Sequence, residues 1–378
     1  MTNKVKPKIL HVTPSLNILD GGIPKIVKDY CEMVQKKNFL IAIYSKKLLE
    51  NQIIKINSKI IKIIDVYKSK FFFLLSLKTL SRVIETKIKN FNFIHIHGLW
   101  DPFNFFVAKI ARKHLIPYAV NTHGMLEKWS LKEKALKKKI AWYLYQKEIL
   151  LNASSIIVAS TKELERVKSL GFRSNLNYIP YIIKQNKYKS LKKIKDNEIN
   201  FLFLSRLHKK KGIEDLIDAL GEIRNLKWNL KIVGSSGFKN KNYEKKLKLK
   251  VDNYKLEKKI KFFGNLNGKK KDQMYKSSDI LILPTYSENF GLVVAEALNF
   301  AIPVLTTNKT PWGDLNNNGC WIINPGKKPL VNMMNKILKM NKKKLKLMGK
   351  RGKIYLSENY NNFKTTDKLI KLYVKSFN

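Results

Sequence analysis

Short runs of β-branched and aromatic residues alternate with longer helical patterns along this chain, and the series restarts halfway. Residues 9–13, 39–44, 93–97, 118–122 and 155–159 read as strands, with helices fitting between them at 24–35, 101–114, 131–151 and 161–170. The second series has strands at 200–205, 229–233, 261–263, 280–283, 304–306 and 321–323, and helices at 213–224, 243–253, 270–277, 292–299 and 330–340. This alternation is the pattern of βαβ units and parallel sheets. At 378 residues the chain is too long for one core. The polar, Lys-rich stretch 184–195 separates the two series and reads as a linker. The expected fold class is therefore α/β, with two doubly wound, Rossmann-like domains facing across a cleft. The expected division is 1–183, a linker at 184–199, then 200–358 and a last helix within 359–378. Such sheets bind ligands beyond the carboxyl ends of their strands, so the loops there are the places to look for chemistry.

Composition narrows the class further. The net charge is +47, yet only seven of the 75 basic residues are Arg, and the lysines are spread over the whole chain. Arg suits base and phosphate recognition better, which argues against nucleic acid as the specific ligand. Abundant Lys, Ile and Asn together match an AT-rich genome, and an anionic membrane leaflet is the other source of such a bias. Segments 68–78 and 128–145 mix lysines with Phe, Trp and Tyr as an interfacial surface does, or as an ordinary amphipathic helix does. No apolar run reaches the length of a membrane span, and residues 1–8 lead into a strand pattern without a secretory core. Cys31 and Cys320 lie far apart in apolar contexts, which disfavours a disulfide or zinc framework. A cytoplasmic protein is expected, with peripheral membrane contact as an open possibility.

Several strand-end loops carry candidate chemistry. The first ends Asp20-Gly21-Gly22-Ile23-Pro24, where glycines allow close backbone approach and Pro suits a first helical turn. His95 and His97 share one strand face, whereas His123 follows a strand end beside Gly124. Arg206 at a strand end and Lys211 before Gly212 could converge on a diphosphate. The strongest signal is Ser287-Glu288-Asn289-Phe290-Gly291-Leu292, running into a mostly apolar helix that contains Glu296. A buried Glu296 needs a partner or a ligand. With helix throughout, Glu288 and Glu296 stand about 12 Å apart. The carboxylate pairs of glycosidases lie about 5 to 9.5 Å apart, so hydrolysis does not fit. Gripping two ends of an extended ligand does, with amides at 290–292 meeting an anion between them. The competing reading has Glu288 serving the helix dipole and Glu296 salt-bridged. The sequence has no P-loop, no Gly-x-Gly-x-x-Gly and no Asp-x-Asp, so neither a metal nor another cofactor is expected.

Taken together, these residues resemble the retaining glycosyltransferases of family 4, which have the GT-B fold. The resemblance covers nearly the whole chain and is most specific at Glu288-x7-Glu296, with Arg206-x4-Lys211-Gly212 and Gly21-Gly22 beside it. Thr122-His123-Gly124-Met125-Leu126, Trp129 and Thr310-Pro311-Trp312 resemble the subgroup that builds bacterial surface polysaccharides. The resemblance implies an N-terminal acceptor domain and a C-terminal nucleotide-sugar domain. It also implies a last helix crossing back to the first domain. It casts Glu296 on the ribose hydroxyls, Glu288 on the donor sugar, and Arg206 and Lys211 on the leaving diphosphate with amides of Gly291 and Leu292. Asn289 and Phe290 would complete the donor loop, His123 would lie near the reacting carbon, and Gly22 near the phosphates or acceptor. The implied partners are a nucleotide-sugar and a glycan or lipid-linked acceptor. Three departures stand out: Ser205 and Ala301 where the family favours Gly, and Tyr181 after Pro180 where Asn-Gly is common. A glycosyl phosphorylase-like enzyme is the nearest alternative, and a basic nucleic-acid-binding protein the alternative of another class.

Overall fold

The structure, a computed structural model, describes residues 6–17, 21–37, 39–47, 62–65, 77–184, 198–237 and 241–376. It divides into two compact units, Met1–Ile182 with Asn362–Asn378, and Ile183–Asn361. Most of the predicted linker, the loop residue Asp20 and most of segment 68–78 lie outside the described residues.

The first unit is built on β1 (Lys8–Ser15), α1 (Ile23–Gln35), β2 (Leu40–Lys47), β3 (Lys62–Asp65), α2 (Leu77–Ile88), β4 (Phe93–His97), α3 (Pro102–Lys113) and β5 (Tyr118–Asn121). It continues through α4 (Lys128–Lys132), α5 (Ala135–Ala141), a π-helical turn (Trp142–Gln146), α6 (Lys147–Leu151), β6 (Ser155–Val158), α7 (Thr161–Lys168) and β7 (Leu176–Tyr178). The seven strands pair in parallel in the order β3-β2-β1-β4-β5-β6-β7. Every residue of β4, β5 and β6 is buried, as continuous apolar central strands require.

The second unit runs β8 (Ile199–Leu204), α8 (Ile213–Glu222), β9 (Trp228–Val233), α9 (Lys241–Asn253), β10 (Ile260–Phe262), α10 (Gly268–Lys276) and β11 (Ile280–Leu283). It closes with α11 (Leu292–Asn299), β12 (Val304–Thr307), β13 (Cys320–Ile323), α12 (Lys327–Leu338) and α13 (Lys342–Asn359). Its six parallel strands take the order β10-β9-β8-β11-β12-β13. In each sheet the chain moves outward one way, then returns to the centre and moves the other way. The reversal leaves a topological switch point between β1 and β4, and another between β8 and β11. The last helix, α14 (Asn362–Lys375), belongs to the first unit, where it packs on α1 and buries Tyr373 against Phe93.

The structure corrects several sequence expectations. The helix expected at 131–151 is interrupted: α4 stops at Lys132, and Lys134 takes a left-handed conformation (φ 54°) before α5 begins. The helix around the paired glutamates begins only at Leu292, so Glu288 lies in the preceding loop and helical rise does not set its distance from Glu296. Elements β3, α2, β7 and α13 were not anticipated. No described helix is long and apolar enough to cross a membrane.

Glycines and one alanine place the site loops. Gly212 and Gly234 adopt positive φ, and a Cβ on them would stand 2.0 Å from the Pro284 carbonyl oxygen and 1.8 Å from that of Ser205. Ala301 sits just after Phe300, the C-cap of α11, at φ 56°. There Ala301 N–H donates to Leu298 O and Ile302 N–H to Ala297 O, the Schellman pattern that favours glycine. Gly212→Ala is expected to lower the unfolding free energy by about 2–4 kcal/mol, because a backbone contact must open and a strained φ remains. Ala301→Gly is expected to raise it by about 0.5–1 kcal/mol by releasing the left-handed strain. Denaturant midpoints measure both, and a neutral Gly212→Ala contradicts the close approach.

Candidate active site

The two units each gather part of the predicted residues. In the second unit the gathering point is the switch between β8 and β11. The β8–α8 loop carries Arg206, a short 3-10 turn at Lys209–Lys211 and then Gly212. The β11–α11 loop carries Pro284 to Gly291. Their backbones are stitched together: the Lys210 carbonyl accepts from Tyr286 N–H at 2.8 Å and from the Thr285 hydroxyl at 3.0 Å. The Tyr286 hydroxyl reaches back to donate to Asp215 on α8 at 2.7 Å.

This stitching sets Lys211 against Glu288 in an ion pair whose side chains are only 12% and 18% exposed. Burial alone pushes the Glu288 carboxyl upward. The charge and hydrogen bond of Lys211, with Lys210 and the Asn289 N–H, outweigh it and hold the group below the usual range. Glu288 is thus an anion beside a cation, neither fully withdrawn from solvent. Arg206 is exposed and makes no hydrogen bond or ion pair with any described residue. A cation without a partner among the described residues, next to a strand end, is available to an anionic ligand.

The helices at this switch start without side-chain caps. α8 begins at Gly212 (φ 67°) and α11 at Gly291 (φ 76°), and neither cap residue supplies an acceptor. Elsewhere Asp101, Ser160 and Asn341 cap α3, α7 and α13 through their side chains, while α1, α10 and α12 also start without one. The first amides of α8 and α11 are therefore left to other acceptors, and their dipoles favour negative charge. Gly291 is hemmed in, since a Cβ would meet Glu288 Cγ and Trp312 Nε1 at 3.3 Å each. Phe290 is buried with Trp312 and Tyr360, and Trp312 Nε1 donates to the Phe290 carbonyl at 2.6 Å. Asn289 and Leu292 are half-buried on either side.

Glu296 has protein partners. Lys271 pairs with it at 2.6 Å and the Tyr275 hydroxyl donates to it at 2.8 Å. The salt-bridged reading of this residue is therefore part of the structure. A carboxylate offers about four lone-pair sites, and Lys271 and Tyr275 are two of its partners. Sequence pattern could not supply Lys271 and Tyr275, because they arrive from α10 through tertiary packing.

In the first unit Gly21 has φ 98° and uses glycine's freedom, whereas Gly22, the N-cap of α1, has an ordinary φ of −79°. His123 follows β5 in a left-handed conformation (φ 49°). Its Nε2 meets His97 Nδ1 at 3.1 Å and its Nδ1 meets the Tyr181 hydroxyl at 2.8 Å. His97 Nε2 in turn meets His11 Nδ1 at 2.9 Å, and His95 Nδ1 meets the Tyr373 hydroxyl at 2.7 Å. His11, His95 and His97 bring ligand-capable nitrogens within 4.8 Å of one another. Their rings, however, stack, with His95 and His97 at 4.2 Å and 21°. Lone pairs in stacked ring planes do not converge on one ion, so the geometry suits a hydrogen-bonded line better than a metal centre. Burial pushes His11 and His123 down to about 3, and burial followed by neighbouring imidazoles pushes His95 and His97 well down.

Sequence reasoning missed Glu163, the brace of the His123 loop. Its carboxylate accepts from the Thr122 hydroxyl at 2.6 Å, from Gly124 N–H, and from Ala159 N–H at 2.8 Å. Ser160-x-x-Glu163 carries the capping-box signature, and Ser160 does cap α7. The Glu side chain reaches across to another loop instead of closing the box.

A pair of doubly wound units with these connections defines the GT-B fold. Residues 184–354 match the family model for glycosyl transferases group 1, and residues 67–181 the model for the glycosyl transferase 4-like domain. Anabaena HepE, solved with UDP-glucose, shares the fold with a TM-score of 0.78 at 18% identity over 97% of this chain and 99% of its own. A Klebsiella pneumoniae protein described as an uncharacterized 41.2 kDa protein in the cps region is 26% identical over 62% of this chain and 64% of its own length. The Staphylococcus aureus capsular polysaccharide biosynthesis glycosyltransferase CapM is 27% identical over 49% of each chain. The chain thus spans less than two thirds of these two curated relatives. These matches and the fold support a group 1 glycosyltransferase.

The four packed imidazoles, three of them buried and His123 half-buried, set a pH dependence. Their folded pKa values lie below the unfolded value of about 6.5, so the unfolded chain binds more protons as pH falls. Stability is full above about pH 7 and declines below about pH 6.5, by about 1.4 kcal/mol per pH unit for each histidine that must charge on unfolding. Denaturant midpoints between pH 7.5 and 5 read this directly, before most carboxylates titrate. A flat profile there contradicts the buried neutral line.

Proposed function

We propose that the protein transfers a sugar, with retention of anomeric configuration, from a nucleotide-diphosphate donor to a glycan or lipid-linked acceptor. The product belongs to a cell-surface polysaccharide of the lipopolysaccharide, O-antigen or capsule type. The observation that carries this reading is that the two loops at the β8–β11 switch bear Arg206, which has no partner among the described residues, the Lys211–Glu288 pair and the uncapped start of α11. The donor's diphosphate is the anion that this arrangement suits. The genomic setting in the Klebsiella relative's description and the role named for CapM support the polysaccharide pathway.

In this reading Glu296, steadied by Lys271 and Tyr275, accepts from the ribose hydroxyls. Glu288 accepts from hydroxyls of the donor sugar, while Lys211 and Arg206 face the diphosphate with the Gly291 and Leu292 amides. Asn289 and Phe290 shape the loop between them. The bond between the anomeric carbon and the diphosphate oxygen breaks, and its electron pair leaves with the diphosphate. The acceptor hydroxyl oxygen then bonds to that carbon on the face the leaving group vacates, and its proton passes to the departing diphosphate. Cationic side chains and amides carry the developing charge without a covalent enzyme intermediate, and the reading invokes neither metal nor other cofactor. His123 and Gly22, on the first unit, are assigned to the donor sugar and to the phosphates or acceptor.

Arg206→Ala is the cleanest test, because the side chain is exposed and has no hydrogen bond or ion pair among the described residues. Transfer from a panel of labelled nucleotide-sugars is expected to fall about 100- to 1,000-fold while the denaturant midpoint stays put. Undiminished transfer in Arg206→Ala sinks the assignment. Glu296→Gln keeps the Tyr275 contact and is expected to weaken nucleotide binding more than turnover of bound donor.

We also place the protein at the cytoplasmic face of the membrane, in contact with anionic lipid. Support comes from Leu136, Ile140, Tyr143 and Leu144, each more than half exposed on one side of the 135–146 helix among lysines 132, 134, 137 and 139. Flotation with phosphatidylglycerol liposomes is expected at low salt and lost near about 1 M salt, where charges are screened within a few ångströms. Absence of flotation at low salt removes this assignment.

A further inference from the structure

Beneath that exposed helical face lies a cavity of about 220 Å³, lined by Trp100, Leu126, Leu131, Trp142 and Leu170, with Lys138 and Lys139 on its wall. We propose that this cavity receives the phosphate-proximal segment of a long-chain lipid phosphate, with the phosphate held at Lys138 and Lys139. The inference rests on the reading of the acceptor as lipid-linked, and names the carrier that such an acceptor would hang from.

The lining selects the ligand class. Apart from the two lysines and the tips of Trp100, Trp142 and Tyr143, no lining side chain carries a polar group. A sugar or nucleotide buried there would leave its hydroxyls and amides without partners, whereas a hydrocarbon chain needs none. The volume also suits one chain segment better than a whole head group.

The few polar groups suit one anion. Lys138 is half-buried, donates to the Ser130 carbonyl and stands 5.7 Å from the centre of the Trp100 ring. Burial pulls its pKa downward, the signature of an ammonium short of compensating charge. Trp100 holds a left-handed backbone (φ 71°), and its buried indole N–H has no acceptor among the described residues. A half-buried cation with a second lysine beside it on the wall of an apolar cavity is what a phosphate oxygen would satisfy.

Local backbone geometry also serves this cavity. The π-helical turn Trp142–Gln146 adds a residue to the helix where Trp142 and Tyr143 both line the cavity. Such turns cost hydrogen-bond geometry and recur at functional sites. Tyr145 and Gln146 of the same turn clasp the Trp100 backbone, donating to its carbonyl at 2.8 Å and accepting from its N–H at 2.7 Å.

Calorimetric titration of the full chain with farnesyl phosphate, below its micelle concentration, tests the proposal. Saturable one-site binding is expected, with farnesol and inorganic phosphate each weaker by about tenfold or more. The Lys138→Ala/Lys139→Ala double variant and the cavity-filling Ala135→Trp are each expected to weaken binding by about tenfold. Farnesol binding as tightly as farnesyl phosphate, or an unaffected Ala135→Trp, overturns it. So does a response confined to phosphatidylglycerol vesicles, which assigns the face to the bilayer surface alone, or self-association that farnesyl phosphate does not disturb. Arg206→Ala separates this inference from the transferase reading. Lost transfer is expected there with lipid-phosphate affinity unchanged, and each result stands or falls without the other.

Discussion

The close approach of two loops at the β8–β11 switch governs the chemistry of the second unit. Gly212 lies so near the Pro284 carbonyl that no side chain fits between them. From that contact follow the hydrogen bonds from Thr285 and Tyr286 to Lys210, the tie from Tyr286 to Asp215, and the meeting of Lys211 with Glu288. Opposite charges held at partial burial are costly to create and strong when complete. The pair is therefore placed by backbone geometry first, and its electrostatics follow from that placement. Uncapped α11 opens beside the same loop, so cationic groups and free amides share one end of the sheet.

Much of this organisation was legible in sequence because central parallel strands are continuous apolar runs. β4, β11 and α11 were read to the residue, and the other central strands to within one or two at either end. The failures have physical causes. β3 and β7 have four and three residues and flank the sheet, too short to show a period. α13 hid because Gly349 and Gly352 look like helix breakers. Both are packing devices: a Cβ on Gly349 would lie 1.9 Å from the Ala301 carbonyl oxygen, and one on Gly352 would lie 2.5 Å from Leu298. Helix propensity gives way there to a tertiary contact that residue identity does not announce.

The site divides in the same way. Arg206, Lys211, Glu288, Gly291 and Glu296 carried their own signals, through scarcity, spacing or an ionisable group in an apolar helix. Their partners did not. Lys271 and Tyr275 come from another helix, and Trp312 and Tyr360 close over Phe290 from two further elements. The histidine line needed strand register: His11 and His95 are direct partners across β1 and β4, a pairing that no single strand's pattern contains. Tyr181, a departure from the family pattern in the sequence, reaches His123 and gives that position a structural reason.

The line from His11 through His97 and His123 to Tyr181 also has a direction. Each neutral imidazole carries one proton, so every link fixes the tautomer of the next. His11 Nε2 is buried without a partner among the described residues. Only one assignment spares it an unaccepted N–H, with His11 Nδ1 donating to His97, His97 Nδ1 to His123, and His123 Nδ1 to Tyr181. The three rings then behave as one polar thread, anchored deep in β1 and ending at Tyr181. A change at His11 that moves no backbone atom would still be read at His123 as a different proton.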